Sequence, residues 1–156
     1  LFLGQLQRGT PLTLTDPTMT RFVMTLEEAV DLVLYAFEHG ANGDLFVKKA
    51  PSATIETLAD AVLEVAGAVD HPKRVIGTRH GEKLFEALLS REEMAIAEDH
   101  GSYFRVPPDN RDLNYAQFVE EGERRISEAV DFNSHNTTRL NQSEMAAILR
   151  ELPLFR

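Results

Sequence analysis

Thr25-Leu26-Glu27-Glu28-Ala29-Val30-Asp31-Leu32-Val33-Leu34-Tyr35-Ala36-Phe37-Glu38-His39-Gly40 is the stretch on which the reading of the fold turns. Leu26, Ala29, Val30, Val33, Leu34 and Phe37 recur at helical spacing and line one face. Thr25 and Glu28 supply a capping box ahead of them, and Gly40 closes the run. Asp44 to Lys48 follows as a short apolar segment between Gly43 and the Ala50-Pro51 break, which reads as a buried strand. Thr54 then caps a second helix with the stripe Ile55, Leu58, Ala59, Val62, Leu63 and Ala66, and Lys73 to Thr78 reads as another strand. Helix, strand, helix, strand in that order implies an α/β arrangement with short parallel pairing.

Working towards the amino terminus, Thr20 to Met24 is extended, and Leu12 to Thr15 is a short strand meeting a turn at Asp16-Pro17. Leu1 to Gln7 reads as the end of a helix stopped at Gly9. The sequence opens on this apolar stripe without a Met, so the expectation is of a piece of something longer. Towards the carboxyl terminus, Gly81 to Leu89 fits either strand or helix, and Ser90 with Glu93 caps a helix over roughly 91 to 98. Gly101 to Pro108 is extended, Asp109-Asn110-Arg111-Asp112 is turn material, and Phe132 to Thr138 is rich in cap and turn formers. Asn141 and Glu144 cap a last helix, Met145 to Leu152. A boundary near Val106 divides a lobe, 1–106, from a small, loop-rich and helical extension, 107–156.

The composition narrows the function classes. The 156 residues include 43% hydrophobic side chains, a globular proportion. The absence of cysteine excludes disulfides, thiolate metal sites and cysteine nucleophiles. A net charge of -9, from 25 acidic and 16 basic side chains, works against nucleic-acid and anionic-membrane binding. An anionic ligand would have to be met by a few individual arginines. No apolar run approaches the roughly 20 residues of a membrane span, and no signal peptide is evident, so the expected location is the cytoplasm.

Two constellations could carry ligand chemistry. Thr78-Arg79-His80-Gly81-Glu82-Lys83 follows a predicted strand, where binding loops of α/β folds belong. Arg79 offers a fork of donors suited to phosphate, and Glu82 can accept from a pair of sugar hydroxyls. The same two residues could instead form a solvated ion pair. Arg21 lies among apolar and hydroxyl side chains, either as an exposed strand residue or as an anion clamp near a helix amino terminus. His39, His71, His80, His100 and His135 show no metal-ligand spacing; His39 suits the carboxyl end of a helix, and His135 a buried hydrogen-bonding position. The chain has no Gly-rich dinucleotide fingerprint, and none of Tyr35, Tyr103 and Tyr115 has a lysine four residues on. No catalytic residue and no metal site is therefore assigned.

Leu14-Thr15-Asp16-Pro17-Thr18-Met19-Thr20-Arg21-Phe22, Gly77-Thr78-Arg79-His80-Gly81-Glu82-Lys83-Leu84, Pro107-Pro108-Asp109-Asn110-Arg111-Asp112-Leu113-Asn114-Tyr115 and Phe132-Asn133-Ser134-His135-Asn136-Thr137 together resemble extended short-chain dehydrogenase/reductase enzymes of capsule and O-antigen synthesis. The nearest group is the UDP-N-acetylglucosamine 4,6-dehydratase/5-epimerases, often labelled UDP-glucose 4-epimerase. The resemblance implies an α/β substrate-binding lobe with residual Rossmann-sheet strands and a carboxyl-terminal extension, without the NAD(P)-binding Rossmann half. It implies that Arg21 and Arg79 hold a UDP pyrophosphate, Glu82 the ribose hydroxyls, and the backbone of Leu12, Thr13 and Leu14 the uracil. In such enzymes bound NADP or NAD withdraws hydride from C4 of the sugar, water leaves across C5 and C6, and hydride returns at C6, with or without inversion at C5. The resemblance also implies a UDP-sugar substrate and a homo-oligomer for the intact enzyme. The chain by itself is not expected to be active or to bind the cofactor. The alternatives are a UDP-glucose or UDP-N-acetylglucosamine 4-epimerase and a non-catalytic nucleotide-sugar-binding or assembly module.

Overall fold

The computed structural model describes residues 1–108 and 124–155. The Asp109–Asp112 turn and Tyr115 lie outside the described residues. The chain divides into two compact units, the first built from Leu1–Val23, Pro51–Glu86 and the stretch from Thr137 onward, the second from Met24–Ala50 and Ala87–Asn136. Each unit thus draws chain from both sides of position 106.

The first unit is organised by the helix α3, Ile55–Val65, whose Thr54 hydroxyl accepts from the Thr57 N–H. The predicted stripe supplies most of its buried side, with Ala61 added and Ala66 exposed: Ala59 and Leu63 pack on Leu12 and Leu14, while Val62 and Ala61 meet Met145, Ala146 and Leu149. Leu12 and Leu14 belong to strand β1, Leu12–Leu14, which follows helix α1, Phe2–Gln7. Strand β2 is Thr20–Phe22 and β4 is Ser52–Thr54; they run antiparallel, with Arg21 opposite Ala53. Strand β5, Lys73–Val75, pairs with β1 in parallel, Leu12 against Lys73 and Leu14 against Val75. The helix α6, Gln142–Glu151, starts at Asn141 with a full capping box and packs on α3, reinforced where Arg150 reaches Glu64 at 2.7 Å. It is tied in upstream as well, because the Ser52 N–H donates to the Thr138 carbonyl and the Ser52 carbonyl accepts from Leu140.

The second unit centres on an antiparallel sheet of β3, Leu45–Lys48, β7, Glu98–Asp99, and β8, Tyr103–Val106, in the order β3-β8-β7. Parallel pairing is therefore confined to β1 and β5 among the named strands, and the strand after the first long helix takes an antiparallel partner instead. Arg105 on β8 grips Asp44 with two bonds, 2.9 and 3.1 Å, and reaches Glu98 at 3.0 Å. The helix α2, Leu26–His39, has the predicted Thr25–Glu28 capping box and ends on His39. It is fastened by Tyr35, which stacks on Tyr103 at 4.4 Å and hydrogen-bonds the His100 Nδ1 at 3.1 Å. The remaining elements are β6, Ala87–Leu89, which resolves the ambiguous 81–89 stretch; α4, Arg91–Ile96, capped by Ser90; α5, Arg124–Glu128; and β9, Phe132–Asn133, paired with β6.

The stripe on α2 is largely exposed: Leu26, Val30, Val33, Leu34 and Phe37 face solvent, while Ala29 of the stripe is half-buried together with Glu28, Leu32, Tyr35 and Ala36. Two expectations are corrected. The strand β3 is only partly covered: Val47 is buried, while Leu45, on the same face at the start of the strand, is exposed. His135 is exposed, with its N–H donating to the Asn133 Oδ1 at 2.8 Å; the buried residues of that segment are Phe132 and Ser134. Among the described residues, no helix is long and apolar enough to cross a membrane.

Leu12→Ala, at a fully buried position, is expected to destabilise the chain by about 2–5 kcal/mol. Leu34→Ser on the exposed side of α2 should stay within about 0.5 kcal/mol. Urea denaturation of both variants measures the contrast. The Arg105 guanidinium, and after it the Ala41 N–H, hold the Asp44 carboxyl below the ordinary carboxylate range. A depressed folded-state value means that this contribution is present above the unfolded pKa, about 4, and is lost as pH falls through the folded value. Stability measured from neutral pH to about pH 2 should therefore fall less steeply in Asp44→Asn than in the parent below about pH 4.

Candidate functional site

The site begins at the turn after β1. Asp16 Oδ1 accepts from the Thr18 hydroxyl at 2.7 Å and from the Thr18 N–H at 2.8 Å. These two bonds, the hydroxyl's first, hold the Asp16 carboxyl below the usual carboxylate range. The turn in turn caps α3: Ile55 donates to the Met19 carbonyl at 2.8 Å and Glu56 to the Pro17 carbonyl at 3.2 Å. With Thr57 donating to Thr54, the first-turn amides of α3 are satisfied internally and are not offered to an anion. The same turn delivers Met19 and Thr20, both buried, to the start of β2.

Beside β2, on the side away from β4, runs residues 83–86. The Thr20 N–H donates to the Leu84 carbonyl at 3.0 Å, and the Phe22 N–H to the Glu86 Oε2 at 3.2 Å. Between them the Arg21 guanidinium spans the gap, with Nη1 donating to the Thr20 carbonyl at 2.7 Å and Nη2 to the Lys83 carbonyl at 2.9 Å. Its Nε lies 3.8 Å from the Glu86 Oε1. Arginine carries five N–H donors; Nη2 also faces the Met19 sulfur at 3.8 Å, and Nη1 keeps a second hydrogen beyond its carbonyl bond. Arg21 is thus a strand residue whose partner is this loop.

The loop ahead of Lys83 is shaped by Gly77 at φ 86° and Gly81 at φ 78°. No atom lies within 4 Å of where a Cβ would stand at either position, so the backbone's handedness, not crowding, requires glycine. The turn from Arg79 to Glu82 closes twice, by the Glu82 N–H on the Arg79 carbonyl at 3.1 Å and by the Arg79 N–H on the Glu82 Oε2 at 3.2 Å. The other Glu82 oxygen accepts from the Thr15 hydroxyl at 3.0 Å. The Arg79 and Glu82 side chains form no ion pair, and the exposed Arg79 guanidinium has no partner among the described residues. Of the two readings open for Arg79 and Glu82, the solvated ion pair is the one that does not form.

The residues of β1 reach this region differently. The Leu12 and Leu14 side chains are buried in the core, so only their backbone could serve a ligand. In a parallel pair alternate residues turn their N–H and C=O to the neighbour. Leu12 donates to the Pro72 carbonyl and Leu14 accepts from Ile76, which leaves Thr13 pointing away from β5. There its N–H donates to the Gln5 Oε1 at 3.2 Å, and its hydroxyl accepts from the Gln5 Nε2 at 2.7 Å. Sequence reading missed Thr15, Glu86 and Gln5. Thr15 and Glu82 are 67 positions apart, and no local pattern announces such a contact.

Comparison with known proteins agrees with this architecture. The chain matches the family described as Polysaccharide biosynthesis protein over residues 1–108, and Polysaccharide biosynthesis protein C-terminal over 109–156. It is 54% identical to a UDP-glucose 4-epimerase of Rickettsia felis and 53% identical to one of Rickettsia akari, in each case over 97% of this chain and 44% of the relative. The chain thus spans less than half the length of the curated relatives it matches. The X-ray structure of Pen from Bacillus thuringiensis superposes with a TM-score of 0.78 at 24% identity, covering 98% of this chain and 44% of that one. The fold is the carboxyl-terminal portion of an extended short-chain dehydrogenase/reductase. The chain belongs to the polysaccharide biosynthesis protein family.

Arg21 ties β2 to the loop independently of any ligand. Arg21→Met is expected to speed hydrogen exchange at the Thr20 and Phe22 amides, which donate into residues 84 and 86, while the Leu12 amide, bonded to Pro72, stays protected. Unchanged exchange at Thr20 would show that the loop holds without the guanidinium.

Proposed function

We propose that this chain is the UDP-sugar-binding part of a UDP-N-acetylglucosamine 4,6-dehydratase, 5-epimerising, that serves surface polysaccharide synthesis. In this reading residues 1–106 form the substrate lobe and 107–156 the extension. Arg21 and Arg79 grip the pyrophosphate, Glu82 takes the ribose hydroxyls, and the Leu12, Thr13 and Leu14 stretch meets the uracil through the backbone of Thr13, whose groups turn away from β5.

The observation that supports it is the way one loop gathers these groups. Arg79 and Glu82 share a turn, and Arg21 bonds the carbonyl of Lys83, the next residue. Guanidinium forks suit diphosphate oxygens, and a carboxylate with acceptor capacity to spare suits a diol. In a chain of net charge -9, an anion needs such individual cations. The uracil contact is the most constrained: at Thr13 the outward N–H is already given to Gln5. The base would therefore use the Thr13 carbonyl or displace that amide.

NAD or NADP does not fit the described residues. The parallel pair β1 and β5 is three residues long in each strand, and Gly77 and Gly81 lack the spacing of a dinucleotide fingerprint. The cofactor and the proton-transferring groups would be contributed by another part of the parent protein, and no step of the reaction is assigned to residues here. The second reading, 4-epimerisation, is favoured by the names of the Rickettsia relatives.

In the full-length protein, Arg79→Ala and Arg21→Ala should each weaken UDP-sugar binding by about 1.5–3 kcal/mol, as for lost charged hydrogen bonds. Arg79 is the cleaner probe, since among the described residues its guanidinium has no internal partner. Calorimetry showing undiminished affinity in both variants would remove the clamp assignment. Mass analysis of the product separates the chemistries, because dehydration loses water and epimerisation leaves the mass unchanged.

A further inference from the structure

We propose that Thr15 is a positioning residue: by gripping the Glu82 carboxylate it sets the preference for a ribonucleoside diphosphate over its 2′-deoxy counterpart. The inference rests on Glu82 facing the ribose, as argued above, and goes beyond it in naming what makes that carboxylate selective.

An ionised carboxylate has about four acceptor positions, two on each oxygen. In Glu82 one position on each oxygen is filled, by the Thr15 hydroxyl on Oε1 at 3.0 Å and by the Arg79 N–H on Oε2 at 3.2 Å. A single donor would leave the group free to swing about its terminal bond. Two donors from opposite sides fix its plane and leave one acceptor position on each oxygen. That arrangement matches two adjacent hydroxyls, which donate as a pair. A carboxylate free to rotate would accept one hydroxyl nearly as well as two, and so would tell a ribose from a deoxyribose poorly.

Both donors are anchored. Thr15 directly follows β1, where Leu14 is buried and its carbonyl accepts from the Ile76 N–H at 2.8 Å. The Arg79 N–H is held by the turn that the Glu82 N–H closes on the Arg79 carbonyl. The Thr15 hydroxyl has a competing acceptor, the Met19 sulfur at 3.5 Å. A thioether is a weak acceptor and a carboxylate a strong one, so the single hydroxyl proton goes to Glu82. The grip therefore joins the carboxyl ends of both strands of the parallel pair, the end of β1 through Thr15 and the loop after β5 through Arg79 and Glu82.

A plain structural staple would predict something different. If Thr15 merely held the loop in place, its loss would weaken UDP and 2′-deoxy-UDP equally. The test is calorimetry of the full-length protein with both nucleotides, read as the ratio of their dissociation constants. The parent should prefer UDP by about tenfold or more, the worth of one hydrogen bond to a charged group. In Thr15→Val that ratio should fall severalfold towards one, while Thr15→Ser, which keeps the hydroxyl, retains it. Thr15→Ala is a second hydroxyl-free variant should the valine not fold. A ratio unchanged in Thr15→Val and Thr15→Ala, with Glu82→Gln abolishing it, overturns the positioning role and leaves the ribose reading standing. A ratio unchanged in Glu82→Gln overturns the ribose reading itself and the positioning role with it.

Discussion

The three-residue parallel pair of β1 and β5 is what the candidate site depends on. It is short, and its stability comes from behind, where Leu12 and Leu14 meet Ala59 and Leu63 of α3. Once Leu14 accepts from Ile76, the chain leaving β1 and the chain leaving β5 emerge side by side, and Thr15 is within reach of Glu82. The helix that backs the pair is in turn capped by the turn following β1, through Pro17 and Met19. Core, cap and loop form one closed circuit in which hydrophobic burial supplies most of the energy and hydrogen bonds supply direction.

Arg21 carries two duties within that circuit. It bonds the carbonyls of Thr20 and Lys83 and sits near Glu86, which keeps the 83–86 stretch beside β2. In the proposed function it also faces a diphosphate with its remaining hydrogens. The Arg79 guanidinium differs in having no partner among the described residues, so it has more side-chain entropy to lose on meeting a ligand. One arginine is organised in advance at the expense of donors, and the other keeps its donors at the expense of order.

How much of this could be read from the sequence follows from the range of each interaction. Helices and their caps were legible because a cap needs only residues three apart: Thr25 with Glu28, Ser90 with Glu93, and Asn141 with Glu144 all close as the spacing suggests. Strand positions were legible, but partners were not. Alternation and apolar runs say that Leu45–Lys48 is extended without saying that Tyr103–Val106 lies antiparallel to it. The α2 stripe illustrates another limit. Periodicity finds an apolar face, yet this helix has apolar residues around much of its circumference, and Tyr35, with a hydroxyl that finds His100, decides which side meets the sheet. At the site, Arg21, Arg79 and Glu82 could be picked by residue type, whereas the Thr15 hydroxyl on Glu82 and the Gln5 amide on Thr13 are products of folding that no spacing rule encodes.

The outer side of α2 carries a consequence for how this chain behaves in solution. Leu26 is 77% exposed and Phe37 85%, with Val30, Val33 and Leu34 between them along the helix. Water around such a ridge is released whenever two apolar surfaces meet, and strongly excluded salts such as sulfate enlarge that gain. Salting-out of the isolated chain would accordingly begin at this ridge, ahead of the acidic remainder of the surface, where mutual repulsion keeps molecules apart.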